Sequence, residues 1–87
     1  MRILNLYKKG YPKRFAFGPS YELSIINTGY GAPSMLEIGV IKNGKFVELP
    51  GITEPGDAVK GWLTEDSVDG ILMKMMLVTG HDPELIE

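Results

Sequence analysis

"MLEIGVIKNGKFVEL", residues 35–49, decides how this chain folds. Asn43-Gly44 stands between two runs that alternate apolar and polar residues, which is the strongest short signal of a β-hairpin. A two-residue type I′ turn needs positive φ at both central residues, and Asn and Gly adopt it most readily. Opposed positions across such a turn sum to 87. Val40 then faces Val47 and Ile38 faces Leu49, so one face gathers Leu36, Ile38, Val40, Val47 and Leu49. The other face receives Glu37, Gly39, Ile41, Phe46 and Glu48. A slip by one residue would turn the first set to water, so the register is well specified. Ile41 and Phe46 are then a cross-strand apolar pair among charges.

Upstream, "YELSIIN" (21–27) sets Tyr21, Leu23 and Ile25 on one face and Glu22 and Ser24 on the other. "KRFAF" (13–17) alternates as a further short strand, stopped by Gly18-Pro19-Ser20. "RILNLY" (2–7) has the composition of a first strand. "NTGYGAPS" (27–34) carries two glycines around Tyr30, but a dinucleotide-binding loop needs a third glycine and a helix to follow. Here the following run alternates like a strand. The segment reads as a corner between strands that presents Tyr30 at its tip.

Downstream, "PGITEPGD" (50–57) is a loop, because its prolines and glycines do not continue a sheet. "DAVKGWL" (57–63) reads as one or two helical turns with Trp62 anchored in the core. Thr64 caps the main helix, and Glu65 and Asp66 lie in its first turn, where the helix dipole favours negative charge. Val68, Ile71, Leu72, Met75 and Met76 follow at the spacing of a core-facing stripe. Gly80 stops the helix and Pro83 prevents a restart. Strands first and helix last predict an α+β fold: a small antiparallel sheet of three to five strands with one C-terminal helix on one face. Eighty-seven residues form a single domain, 1–87.

Composition narrows the function. The chain has no cysteine, which excludes disulfide scaffolds, thiolate metal sites and cysteine nucleophiles and predicts a cytoplasmic setting. No apolar run approaches the roughly 18–20 residues of a membrane span. His81 is the only histidine, so "HD" at 81–82 is no metal site. The serines lack an elbow or base motif, and the helix-start carboxylates do not form an acid/base pair. The expectation is a protein that is not an enzyme and needs no cofactor or metal.

Two surfaces attract attention. Residues 1–21 carry Arg2, Lys8, Lys9, Lys13 and Arg14 and no acid, whereas four lysines stand against eleven carboxylates from Glu22 onward. Tyr7, Lys8, Lys9, Tyr11, Lys13 and Arg14 interleave aromatic and basic side chains, the composition of a single-strand-binding surface, and equally of a patch for an acidic protein. The second surface is apolar. "ILMKMMLV" (71–78) leaves Met73 and Leu77 outside the core stripe, so these two, with Tyr30, Ile41 and Phe46, are candidates for a protein contact or a homodimer.

In size, lack of motifs and charge polarity the chain is similar to the small stand-alone accessory proteins of phages and mobile elements. Many of these bind and inhibit a host protein, for example as defence-system antagonists. What the resemblance implies is a non-enzymatic interaction module, and it carries no residue across. Nucleic-acid binding through the basic-aromatic segment and a self-assembling structural subunit are the alternatives.

Overall fold

A computed structural model of the chain describes residues 3–7, 10–28 and 35–86. Its centre is an antiparallel sheet of strands β1 (Lys13–Phe17), β2 (Tyr21–Asn27), β3 (Leu36–Lys42), β4 (Lys45–Phe46), β5 (Val59–Leu63) and β6 (Glu84–Leu85). The order is β4-β3-β2-β1-β6, with β5 also paired to β3. One helix, α1 (Glu65–Thr79), lies against one face. This is the α+β architecture expected, with two 2-residue strands filling out its edges.

The hairpin at Asn43-Gly44 forms in the expected register, Ile41 opposite Phe46 and Lys42 opposite Lys45. Both turn residues have positive φ, 52° at Asn43 and 82° at Gly44. Val47 N–H still donates to Val40 O at 2.9 Å, and then the ladder ends. Leu49 does not face Ile38. Pro50-Gly51 carry the chain away, and β5 returns to take that edge, with Gly39 opposite Val59 and Ile38 opposite Lys60. The hairpin is therefore shorter than the alternation predicts, and the core-facing order of β3 is kept by a different neighbour.

The period-two pattern sorts the sheet into two faces. Phe15, Phe17, Leu23, Ile25, Leu36, Ile38 and Val40 point inward and are buried. Val68, Ile71, Leu72 and Met75 of α1 meet them, with Leu4, Ile52 and Leu63 closing the margins. The helix ends behave as expected. Ser67 N–H donates to Thr64 Oγ1 at 3.1 Å, and Gly80, at φ 73°, donates its N–H to Met76 O at 2.9 Å.

Two local expectations fail. Residues Ile3–Leu6 form a short 3-10 helix and not a strand. Leu4 N–H donates to Asp69 Oδ1 at 3.1 Å, so this segment packs on α1 and meets no sheet edge. "VKGWL" is β5 and not helical turns, because β3 offers an open edge that an isolated helical turn cannot match in hydrogen bonds. Trp62 is accordingly no core anchor: it is 79% exposed.

The connection after β2 joins two antiparallel neighbours, with Asn27 opposite Leu36. Thr28 N–H and hydroxyl both donate to Met35 O, at 2.9 and 2.8 Å, and close its base. The segment expected to form the corner lies, from residue 29 to residue 34, outside the described residues. Tyr30 lies outside the described residues, as do Lys8 and Lys9.

Candidate functional site

The sheet face away from α1 carries small residues at its middle, Ala16, Ser24 and Gly39. Register places Arg14, Ser24, Gly39 and Val59 in one row across β1, β2, β3 and β5, and Ala16, Glu22, Ile41 and Phe46 in the next. The β2–β3 pairing also sets Ile26 beside Glu37. Ser24 and Gly39 supply a low floor, with the Phe46 ring leaning over Gly39, while Ile26, Glu37 and Val59 rise around it. The result is an open concavity of about 210 Å³.

Gly39 lets the Phe46 ring approach closely. A Cβ at this position would lie 2.7 Å from Phe46 Cε1 and 3.5 Å from Val59 Cγ1, so the Phe46 ring rests on bare backbone. Phe46 remains 60% exposed even so. Its cross-strand partner Ile41 is 6% exposed, so of this pair only Phe46 presents a surface. Glu37 makes no ion pair among the described residues; Arg14, by contrast, sits 3.6 Å from Glu22.

Trp62 borders this face. Pairing runs from Ile38 opposite Lys60 to Leu36 opposite Leu63, which sets Gly61 and Trp62 together against the single residue Glu37. This is a β-bulge, and at its second position Trp62 takes φ 58°. A bulky residue in the left-handed region costs of order 1–3 kcal/mol and persists where the surroundings hold it. The outcome is an indole displayed on an edge strand whose only strand partner among the described residues is β3.

A second apolar surface lies on the outer side of α1. Met73 and Leu77 are both exposed, Leu77 at 84%. Beside them Pro50, Gly51, Ile52, Lys74 and Val78 form a shallow groove of about 180 Å³, and Lys74 Nζ donates to Gly51 O at 3.3 Å. Gly70, on the same side, has no atom of the described residues within 4 Å of a built Cβ beyond its own helix.

Three of the four described residues of the basic-aromatic set, Tyr7, Tyr11 and Lys13, are turned to internal use. Lys13 is 3% exposed, which corrects its placement on a contact surface. The alternation of "KRFAF" puts it in phase with Phe15 and Phe17, so it faces inward. Its ammonium donates to Gly10 O at 2.5 Å and sits 4.3 Å from the Tyr11 ring centroid. Tyr11 hydroxyl donates to Glu65 Oε2 at 2.8 Å. Tyr7 packs edge-on against Phe15, ring centroids 4.9 Å apart, and its hydroxyl donates to Pro83 O at 3.3 Å. Of the four described residues in that set, Arg14 is the one whose charge reaches the surface, beside Glu22.

The structure thus gathers Phe46, Ile26 and Val59 around one concavity and sets Trp62 on the bulge opposite Glu37; of these four the sequence singled out only Phe46 as a contact residue. It holds Met73 and Leu77 apart on the helix. The missed signal was the Gly61-Trp62 pair on a potential strand, since glycine beside a large residue often marks a bulge. No group of His, Asp and Glu capable of holding a metal occurs among the described residues. No described helix is long and apolar enough to cross a membrane. Comparison with protein-family models, with curated proteins and with solved structures finds no match.

Proposed function

We propose that this protein is a non-enzymatic interaction module whose principal contact surface is the outer sheet face, with Trp62 and Phe46 as anchors. The observation that carries this reading is Trp62 itself. The fold holds a tryptophan in a strained conformation and buries only about a fifth of it. Folding gains little from that arrangement. Binding would gain much, because Trp dominates interface energetics and a bulge aims its side chain.

The chain's lack of cysteine makes the test direct. A photo-crosslinker attached beside the anchors, at Lys45→Cys next to Phe46 or at Lys60→Cys two residues before Trp62, should capture the same protein, and one at Asn5→Cys should not. Capture from all three positions alike, or from none, would refute the reading. The intrinsic emission of Trp62, the sole tryptophan, should shift when that protein is added to the unmodified chain.

Self-association through α1 is a second reading, favoured by Gly70. Glycine in a helix interior costs about 1 kcal/mol relative to alanine. Here the helix is regular and the space above Gly70 is open among the described residues, none of which accounts for it. Close approach of a second copy over Gly70, Met73 and Leu77 would. Light scattering over a wide concentration range tests this, and a monomer throughout removes it. Nucleic-acid binding draws the least support, since Tyr7, Tyr11 and Lys13 are engaged within the fold.

A further inference from the structure

We infer that the concavity on the outer sheet face is a receptor for a single basic side chain of the partner, an arginine before a lysine. This deepens the reading above and rests on it. At about 210 Å³ the concavity is smaller than cavities that hold metabolites, which start near 300 Å³, and it is open on one side. Its size suits one side chain. Its chemistry is uneven: Ile26, Val59 and Phe46 are apolar, Ser24 offers a hydroxyl on the floor, and Glu37 supplies one carboxylate.

An arginine matches each of these. Its methylene stem covers Ile26 and Val59, its planar guanidinium lies on the exposed Phe46 ring, and its N–H fork reaches the Glu37 carboxylate. Glu37 makes no ion pair among the described residues, so no partner within the fold has to be displaced. An acidic partner residue would meet Glu37 with like charge. A neutral apolar side chain would leave the carboxylate without a partner as water is excluded, which is costly. The charge pattern therefore selects for a cation as well as admitting one. Trp62, set opposite Glu37 by the bulge, stands at the margin where the partner's neighbouring residues would pass.

The test uses the full chain and four short acetylated peptide amides that differ at one central residue: arginine, lysine, citrulline or norleucine. Backbone amide shifts are followed by NMR. The arginine peptide should saturably shift Glu37, Gly39 and Phe46, and citrulline, its neutral isostere, should bind roughly twofold to fivefold more weakly, as expected of a half-exposed charge pair. Glu37→Gln should remove that preference, and Phe46→Leu should weaken arginine by about twofold to fivefold through loss of the ring face. Both variants alter surface positions, and an unchanged amide spectrum elsewhere establishes that they fold.

Equal shifts from arginine and citrulline would overturn the inference, as would no shift at these amides. Tighter binding of norleucine would also overturn it, while leaving the broader interaction reading in place. The broader reading fails separately, if crosslinks from positions 60 and 45 find no common protein.

Discussion

Replacing Trp62 by glycine separates an anchor from a displayed contact. Were this indole packed in the core, its removal would cost about 3–5 kcal/mol, as for other large buried aromatics. The structure gives a different sum. With 79% of the residue exposed, about a fifth of a surface of roughly 250 Å² is buried, worth about 1 kcal/mol at ~25 cal/mol per Å². Glycine also gives the unfolded chain more freedom, at a cost of roughly 0.5–1 kcal/mol. Against both stands relief of the left-handed strain at φ 58°, about 1–2 kcal/mol. The terms nearly cancel, and the expected change in stability is within about 1 kcal/mol of zero. Urea unfolding followed by far-ultraviolet circular dichroism is the assay, since the fluorescent reporter is gone. An unchanged slope with the midpoint shifted by less than that amount is the expected result. A loss above about 2.5 kcal/mol would mean that Trp62 packs inside, and the case for it as a contact residue would fall.

The helix supplies three further tests. Gly70→Ala should raise stability by about 1 kcal/mol, or roughly 4–8 °C in Tm for a domain of this size, because the added methyl meets open space. The same variant should weaken any self-association that depends on close helix approach, read by sedimentation. Leu72→Ala, at a fully buried position against the sheet, should cost about 2–5 kcal/mol in urea unfolding. Leu77→Lys, on the opposite side of the same helix, should change stability by less than about 0.5 kcal/mol and disperse any dimer formed there.

Much of the fold was legible because its main elements are set by local rules. Asn43-Gly44 dictates its own turn, the alternation in "YELSIIN" dictates its own faces, and the Thr64 and Gly80 caps bound the helix. What was not legible depended on distant partners. Whether "VKGWL" becomes strand or helical turn is settled by the open edge of β3, about twenty residues earlier in sequence. Trp62 follows from the same cause, since its exposure is a property of the bulge and not of the residue. Lys13 shows the opposite error. Its alternation with Phe15 and Phe17 did announce an inward side chain, but charge argued for the surface, and the Gly10 carbonyl and Tyr11 ring that accommodate it are visible only once the segment has folded. The concavity was least accessible of all, being assembled from β2, β3, β4 and β5 with no two of its walls adjacent in sequence.

Gly39 ties the fold to the proposed site and permits a direct check of both. The Phe46 ring lies so close over this residue that a built Cβ falls 2.7 Å from Cε1, well inside van der Waals contact. The Gly39 α-protons should therefore resonate upfield, shielded by the ring, and lose that shift in Phe46→Leu. Gly39→Ala should force the ring aside. Phe46 is exposed and belongs to a two-residue strand, so it can rotate away, and the stability change should stay within about 1 kcal/mol. The concavity would nonetheless lose its floor and its aromatic wall together. The arginine peptide should then bind more weakly to Gly39→Ala than to Glu37→Gln, although the carboxylate is untouched. If Gly39→Ala bound arginine as the parent chain does, the ring would not be part of the receptor. If the α-protons showed no upfield shift in the parent chain, the ring would not lie over Gly39 at all, and the concavity would have a different shape.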